Sequence, residues 1–312
     1  MIFHRVLPIH RESVPRSRLT LLIVSLLATA VAGVIAGGAG ASQAAPAAAN
    51  AIAFTSERGG PLQIFIRQGG RPIAIAAPKH GMSVAPDWSP NGSKLALALS
   101  DASGQDFDIG VVPADGGPIR RITSGPAWDE EPSWSPDGRW IAFASNRTGN
   151  FELYVVRPDG TGLRQLTRNG CDDTQPDWSP DGKSLVYASR VNGKPRIWRM
   201  DADGANRRPL AKVLGSAPAW SPDGRTVAFQ SESDEAAHIM LMDADGRNLR
   251  QLTDEIGNQT SPAWSPDGQW VAYISDPFGS YDVLAVRPDG TGRRALTADV
   301  WSDDTPAFRP TT

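Results

Sequence analysis

The sequence predicts an all-β fold, a six-bladed β-propeller of four-stranded antiparallel blades whose ring is closed by the C-terminal strand. Three observations support this prediction. One sequence motif is repeated along the chain, each repeat contains four short β-rich runs, and the first repeat lacks a strand that the C-terminus carries.

The repeat is anchored by one aromatic position. The aligned residues are Trp88, Trp134, Trp178, Trp220 and Trp264, with spacings of 46, 44, 42 and 44 residues, and Phe308 follows 44 residues later. A period of this length is typical of solenoids and propellers. We expect the aligned aromatics to pack between neighbouring blades, since aromatic side chains bury large areas.

The unit starting at Pro132 shows the four runs, written "PSWSP", "WIAFAS", "FELYVV" and "LRQLT". The turns after the first and third runs read "SPDG" and "RPDG", in which aspartate and glycine suit a tight turn better than a calcium site. The loop between the second and third runs differs in every unit. In an antiparallel sheet this loop shares an edge with the link between units, so that edge is where we expect binding residues.

Ring closure is predicted from the two ends of the repeat array. The first unit begins at Ile52 without a "PxWSP" strand, and the chain ends with an isolated "TPAFRP" that no further strand follows. If this last segment completes the first blade, no sheet edge stays open. We therefore assign the propeller to residues 52–310.

The N-terminal residues predict export. Four arginines precede an apolar run, and small residues follow it, so we assign residues 1–44 to a signal peptide and residues 45–51 to an Ala-rich linker. An uncleaved anchor over Leu19–Ala36 is the alternative. The predicted location is periplasmic or secreted. Cleavage would change the net charge from −3 to −6, which argues against nucleic-acid binding, and Cys171 has no partner for an internal disulfide.

The motif "PxWSPDGxxIAFxS…LYVVRPDGTGLRQLT" resembles the WD-type repeat of the TolB-like β-propeller family. The resemblance covers residues 52–310. It implies a propeller that acts as a protein-binding module of the bacterial envelope, with its partner at the channel mouth. Only a few residues separate the expected cleavage site from the first unit, so we expect this chain to lack the separate N-terminal domain of the family.

Acidic residues cluster in the links just ahead of some first strands, where they would surround one mouth of the channel. Two tryptophans outside the aligned register lie beside these clusters, as aromatic anchors of protein interfaces often do. The candidate partner-binding residues are Trp128, Asp129, Glu130, Glu131, Asp172, Asp173, Trp301, Asp303 and Asp304. Asp129, Asp173 and Asp303 share the position five residues before the aligned aromatic and are the candidate ligands for a metal such as Ca²⁺.

The sequence contains no serine-hydrolase or zinc-protease motif, so no catalytic residue is assigned. We expect a non-enzymatic, monomeric propeller without a cofactor that binds an envelope protein or a basic peptide, attracted by the negative mouth. It would touch a membrane only through an uncleaved N-terminal segment. The alternative is a propeller enzyme, a metal-dependent hydrolase or lyase that uses the carboxylates at the mouth.

Overall fold

The computed structural model describes residues 51–76, 78, 81–101, 104, 106–233, 236–276 and 281–311. The predicted signal peptide, the linker up to residue 50 and the alternative anchor at Leu19–Ala36 lie outside the described residues. The described strands belong to one compact unit, Ala45–Thr312. Within the ranges just given, no helix has the length and apolar character needed to cross a membrane.

Short antiparallel strands make up the described chain. In chain order they are β1 (Ile52–Ser56), β2 (Gln63–Arg67), β3 (Ile73–Ala76), β4 (Ser83–Trp88), β5 (Lys94–Ser100), β6 (Phe107–Pro113), β7 (Arg120–Arg121), β8 (Asp129–Trp134), β9 (Ile141–Ser145), β10 (Glu152–Val156), β11 (Arg164–Gln165), β12 (Asp172–Trp178), β13 (Ser184–Val191), β14 (Lys194–Asp201), β15 (Arg208–Trp220), β16 (Thr226–Ser231), β17 (Ile239–Asp243), β18 (Arg250–Gln251), β19 (Gln259–Trp264), β20 (Val271–Ser275), β21 (Asp282–Val286), β22 (Arg294–Ala295) and β23 (Asp303–Phe308).

The prediction of six separate four-stranded blades is wrong. Among the described residues there are four blades of four strands: β23-β1-β2-β3, β4 to β7, β8 to β11, and β19 to β22. The strands expected to form two further blades are joined in one seven-stranded sheet that runs from β12 to β18. The all-β propeller architecture with four-stranded antiparallel blades is therefore confirmed, but the number of such blades is corrected to four.

The long strand β15 causes this fusion. Its first part pairs with β14, with Leu214 opposite Arg196, and its second part pairs with β16, with Gly215 opposite Ser231. In other repeats the link to the next first strand contains turn-forming residues, as in "TRNGCDD", but here the chain reads "LAKVLGSA". Without proline, aspartate or asparagine to turn it, this apolar link stays extended and joins the two sheets.

The C-terminal strand completes the first blade. β23 pairs with β1 in the antiparallel sense, with Phe308 opposite Ile52 and Asp303 opposite Ser56. The predicted pairing between the two ends of the repeat array is thus observed. The first strands of successive repeats also contact one another around the ring, in the order β4, β8, β12, β15, β19, β23 and back to β4.

The core lies between neighbouring sheets, where the aligned aromatics pack as expected. Trp88, Trp134, Trp178 and Trp220 are buried. Trp134, for example, packs with Ala96 and Ile109 of the preceding blade. The indole Nε1 of Trp88 also donates a hydrogen bond of 3.0 Å to the carbonyl oxygen of Ala307, which ties the second blade to the closing strand.

The repeated turns have the predicted chemistry. In the "SPDG" turn after β8, an Asp137 oxygen accepts hydrogen bonds from the Ser135 hydroxyl at 2.6 Å and from the Arg139 backbone at 3.0 Å. Gly138 takes a positive φ of 69°. These hydrogen bonds hold the pKa of Asp137 below its usual value. The aspartate is an acceptor within the turn, and the same pattern recurs at Asp181 and Asp223.

The variable loops and the links share one edge of the sheets, as the strand order predicts. Asn146, in the loop after β9, exchanges hydrogen bonds with the backbone of Trp128, in the link before β8. Asn150 in the same loop donates to the carbonyl oxygen of Cys171, in the link before β12. We call this edge the loop edge.

Candidate functional site

The first strands of all repeats surround one channel. A cavity of about 300 Å³ is lined by segments of β4, β8, β12, β15, β19 and β23. Each segment contributes residues just before its aligned aromatic, and all segments except β23 also contribute the proline of the "PxW" motif. All six repeats therefore contribute residues to the wall of this channel.

Three carboxylates enter the channel from β4, β8 and β12. They belong to Asp87, Glu131 and Asp177. Asp87 Oδ2 accepts a hydrogen bond of 2.6 Å from the backbone N–H of Trp134, and Asp177 Oδ2 accepts one of 2.7 Å from the backbone N–H of Trp220. Each aspartate thus links its own strand to the first strand of the next repeat.

Burial dominates the electrostatics of these carboxylates. It raises the pKa of Asp87 and of Asp177 to about 7, although the backbone hydrogen bonds from Trp134 and Trp220 oppose the change. Burial likewise raises the pKa of Glu131 to about 7, against the hydrogen bonds from Gln175. The protonated forms of these groups are therefore favoured more than those of exposed carboxyls, and a cation beside them would favour their charged forms.

The opposite side of the channel is apolar at the corresponding positions. Where β4 and β12 carry aspartate just before the aligned aromatic, β15, β19 and β23 carry Ala219, Ala263 and Ala307. The channel therefore has one acidic side and one side of small apolar residues. A ligand that combines positive charge with an apolar surface would be complementary to both.

The channel strands share an unusual backbone feature. Each has a bulge, and three residues before the aligned aromatic a non-glycine residue adopts a left-handed φ between 46° and 55°. Such residues cost about 1–3 kcal/mol each and occur preferentially at functional sites. In chain order they are Ala85, Glu131, Gln175, Ala217, Ser261 and Thr305.

Side chains at these bulges connect neighbouring repeats. Glu131 Oε2 accepts a hydrogen bond of 2.8 Å from the backbone N–H of Gln175, and Gln175 Oε1 accepts one of 2.8 Å from the backbone N–H of Ala217. On the other side, the Thr55 and Thr305 hydroxyls share a hydrogen bond of 2.7 Å within the first blade, and the Thr55 hydroxyl accepts one of 3.2 Å from the backbone N–H of Ala85 in the next repeat. The channel wall is thus held by hydrogen bonds that pass from one repeat to the next.

Two of the predicted site residues are engaged by arginines of the loop edge. Asp129 is buried, and both of its carboxylate oxygens accept from Arg147 at 2.7 and 2.8 Å. Asp303 is buried in the same way against Arg58, at 2.6 Å from both oxygens. Burial raises the pKa of Asp303, and the hydrogen bonds from Ser56 and Arg58 oppose this.

The predicted residues of the next link lie within the sheet edge. Asp172 Oδ1 accepts a hydrogen bond of 3.1 Å from the backbone N–H of Phe151. Asp173 is fully buried, and its Oδ2 accepts from the side-chain amide of Asn169 at 2.7 Å. Burial raises the pKa of Asp173 as well.

Glu130 and Asp304 follow the buried aspartates on their strands and are partly exposed. Burial raises the pKa of both carboxyls, and the negative charge of Glu131 raises the pKa of Glu130 further. Of the two tryptophans, Trp301 is 42% exposed, whereas Trp128 is partly buried against the ring of Phe107, with 5.4 Å between ring centroids. Trp301 therefore has the exposed surface expected of an anchor.

The structure places the three candidate metal ligands in different surroundings, since Asp129, Asp173 and Asp303 have different side-chain partners. Within the described ranges, no group of three or more His, Cys, Asp and Glu side chains is arranged to hold a metal ion. A metal site built from these three aspartates remains a prediction.

Sequence reasoning missed Asp87 and Asp177, the two aspartates of the channel. Both occur in the short motif "PDW", directly before an aligned tryptophan. Because successive side chains of a strand point to opposite faces, the residue before a buried tryptophan is directed away from the core. The "PDW" motif therefore indicates an aspartate that points into the channel. The prediction was based on acidic residues in the links, which lie farther from the aromatic.

The fold and its channel define a β-propeller built from WD-type repeats. The chain matches the TolB beta propeller domain family over residues 51–156 and 209–311, and it belongs to that family. The resemblance inferred from the repeat is thereby confirmed. Residues 104–212 also match the N-terminal beta propeller domain of Tricorn protease.

Individual relatives match shorter segments. A protein TolB homolog of Chlorobium luteolum is 37% identical over 99 residues, which cover 32% of this chain and 22% of the relative. An uncharacterized peptidase of Bacillus subtilis, YuxL, is 39% identical over 64 residues, which cover 20% of this chain and 10% of the relative. The matched segments therefore span less than a quarter of these relatives.

Among solved structures, TolB from Acinetobacter baumannii is similar to this chain with a TM-score of 0.74 and 25% sequence identity. The similarity covers 84% of this chain and 67% of that chain.

Proposed function

We propose that this chain is an exported, non-enzymatic propeller of the bacterial envelope that binds a basic peptide segment of a partner protein in its central channel. The observation that carries this proposal is the convergence of Asp87, Glu131 and Asp177 on one side of the channel. Members of the TolB family are periplasmic proteins that bind other envelope proteins, which supports the location and the general role.

The chemistry of the channel favours a cationic side chain as its guest. A lysine or arginine would stabilise the ionised carboxylates, whose pKa values burial raises to about 7. The alanines on the opposite side would contact an apolar neighbour in the same peptide. A volume of about 300 Å³ is at the lower end for ligand pockets, so a short extended segment suits it better than a folded domain.

Binding should depend on pH in a defined direction. A cation binds the ionised carboxylates, so binding should strengthen as the pH rises through about 7 and should release protons. Protonation at pH 5 neutralises the acidic side, and the affinity for a cationic peptide should fall.

The test uses a fluorescently labelled peptide of alternating arginine and leucine, followed by anisotropy. We expect the triple variant Asp87→Asn, Glu131→Gln, Asp177→Asn to bind at least about tenfold more weakly than the unmodified chain. The matched control replaces exposed aspartates at third-strand turns, Asp115, Asp203 and Asp245, by asparagine, which removes the same number of carboxyl groups. If the two triple variants lose affinity equally, attraction is only by net charge and the channel is not the site.

The alternative function, a propeller enzyme, draws on the same carboxylates. Groups with a pKa near 7 in a cavity are suited to acid–base work. Ester, lactone and peptide substrates can be assayed with the same two triple variants. Turnover that disappears only when the channel carboxylates are replaced would favour the enzyme over the binding module.

A further inference from the structure

Three junctions between neighbouring repeats contain a buried aspartate at the same strand position. Asp129, Asp173 and Asp303 each lie five residues before the aligned aromatic and are at most 1% exposed. A buried carboxylate is stable as an anion only when a positive charge or several hydrogen bonds compensate it. The three junctions can therefore be compared with one another.

In two junctions an arginine provides the compensation. Arg147 and Arg58 occupy equivalent positions in the variable loops after β9 and β1, two residues beyond a buried serine. In each, the guanidinium Nη2 donates hydrogen bonds to both carboxylate oxygens of the aspartate. Each guanidinium also lies over two aromatic rings of its own blade, at 5.0 to 5.7 Å from the centroids.

The third junction has no such arginine. The position equivalent to Arg147 is Val191, because the loop after β13 is a tight hairpin. A second buried carboxylate, that of Glu152, is linked to Asp173 through Asn169, which donates a hydrogen bond to each of them. Among the described residues, no lysine or arginine forms an ion pair with Asp173 or Glu152.

Both carboxylates have one oxygen without a hydrogen-bond partner. The backbone N–H and the side-chain amide of Asn169 donate to Glu152 Oε1 at 2.5 Å and to Asp173 Oδ2 at 2.7 Å. Glu152 Oε2 and Asp173 Oδ1 are buried and have no partner within 3.5 Å in good geometry, although the hydroxyls of Ser189 and Thr167 lie close enough to Asp173 to lower its pKa. Glu152 is 1% exposed, so solvent does not replace the missing partner.

We propose that a calcium ion binds between Asp173 and Glu152, where it supplies the positive charge that Arg147 and Arg58 supply in the equivalent junctions. The proposal is independent of peptide binding in the channel, because both carboxylates are buried between the sheets. Asn169, which contacts both carboxylates, is exposed and offers a route of entry from the loop edge.

The donor atoms around the site favour a hard cation. They are carboxylate oxygens, and the carbonyl oxygen of Cys171 is held nearby through Asn150. Two carboxylates with neutral oxygens and water suit Ca²⁺, which accepts variable oxygen coordination.

The first measurement is equilibrium dialysis of the full chain with radioactive calcium, together with its melting temperature. We expect one bound calcium per chain and a rise of about 5 °C at saturating calcium, with no comparable rise in sodium chloride of equal ionic strength. Glu152→Gln and Asp173→Asn should each abolish the bound calcium. Asp129→Asn is the matched control, since it alters the same strand position at a junction with an arginine and should keep calcium binding.

A further variant keeps the test informative if Glu152→Gln and Asp173→Asn fail to fold. Val191→Arg places a guanidinium at the position of Arg147, and we expect it to lower calcium binding at least about tenfold. The proposal fails if the unmodified chain binds no calcium, because the two carboxylates then share a proton instead. It also fails if Glu152→Gln, folded by circular dichroism, binds calcium as well as the unmodified chain does.

Discussion

The paired aspartates of the channel should make the stability of this protein depend on pH. Burial raises the pKa of Asp87 and Asp177 from 3.8 to about 7. Between pH 4 and pH 7 the folded protein therefore holds protons that the unfolded chain releases. Stability from these groups is highest at low pH, falls as the pH rises through this window, and stays low above it.

The double variant Asp87→Asn, Asp177→Asn should remove this dependence. Asparagine keeps an acceptor oxygen for the backbone N–H of Trp134 or Trp220, but it cannot ionise. A pKa difference of about three units corresponds to at most ~4 kcal/mol per aspartate. Because the channel opens to solvent, which screens charge, we expect about 1–2 kcal/mol for each one.

The assay is urea unfolding followed by tryptophan fluorescence at pH 5 and pH 8. We expect the double variant to exceed the unmodified chain by about 2–4 kcal/mol at pH 8 and to lose most of this advantage at pH 5. Both proteins contain the same other titratable groups, so the contribution of those groups cancels when the two free energies of unfolding are subtracted. An advantage of equal size at both pH values would refute the reasoning, since it would show that charge in the channel is not the cause.

Three further changes test the architecture. Arg147→Met leaves Asp129 buried without its partner and should destabilise the fold by about 3–5 kcal/mol in urea, and adding Asp129→Asn should recover part of this. Gly246→Ala should destabilise by at least about 3 kcal/mol, because a Cβ would overlap the Leu210 carbonyl oxygen, whereas Gly290→Ala, at the same φ of 87° in open space, should change stability by only about 1–2 kcal/mol. Deleting residues 303–311 should lower the melting temperature by about 10 °C or more, since β1 then loses one of its two partner strands; an unchanged melting curve would contradict this.

Most of the fold could be predicted from the sequence of the repeat. Asp-Gly turns and the aromatic register act locally within each unit, so they predict strands, turns and the pairing of β23 with β1. The fusion through β15 could not be read in the same way. It depends on an absence of proline, aspartate and asparagine between Leu210 and Ser216, and an extended link is apparent only when both flanking sheets are in place.

The site was predicted less well than the fold for a physical reason. The acidic links were predicted to surround a channel mouth, but Asp129, Asp173 and Asp303 lie at the starts of strands and are buried. Their partners, Arg147 among them, lie in other segments of the chain, and sequence alone does not show which loop will cover which strand. The channel aspartates were accessible to reasoning through the alternation of side chains along "PDW".

The left-handed bulges along the channel have a consequence for recognition. A wall shaped by backbone geometry and by bonds between repeats has few rotatable groups to freeze when a guest arrives. The entropic penalty of ordering a receptor is then largely absent before any contact is made. Differences in affinity among ligands should therefore come from the rigidity and length of the ligands themselves. The entropy that the channel wall loses on binding should be small for stiff and flexible ligands alike.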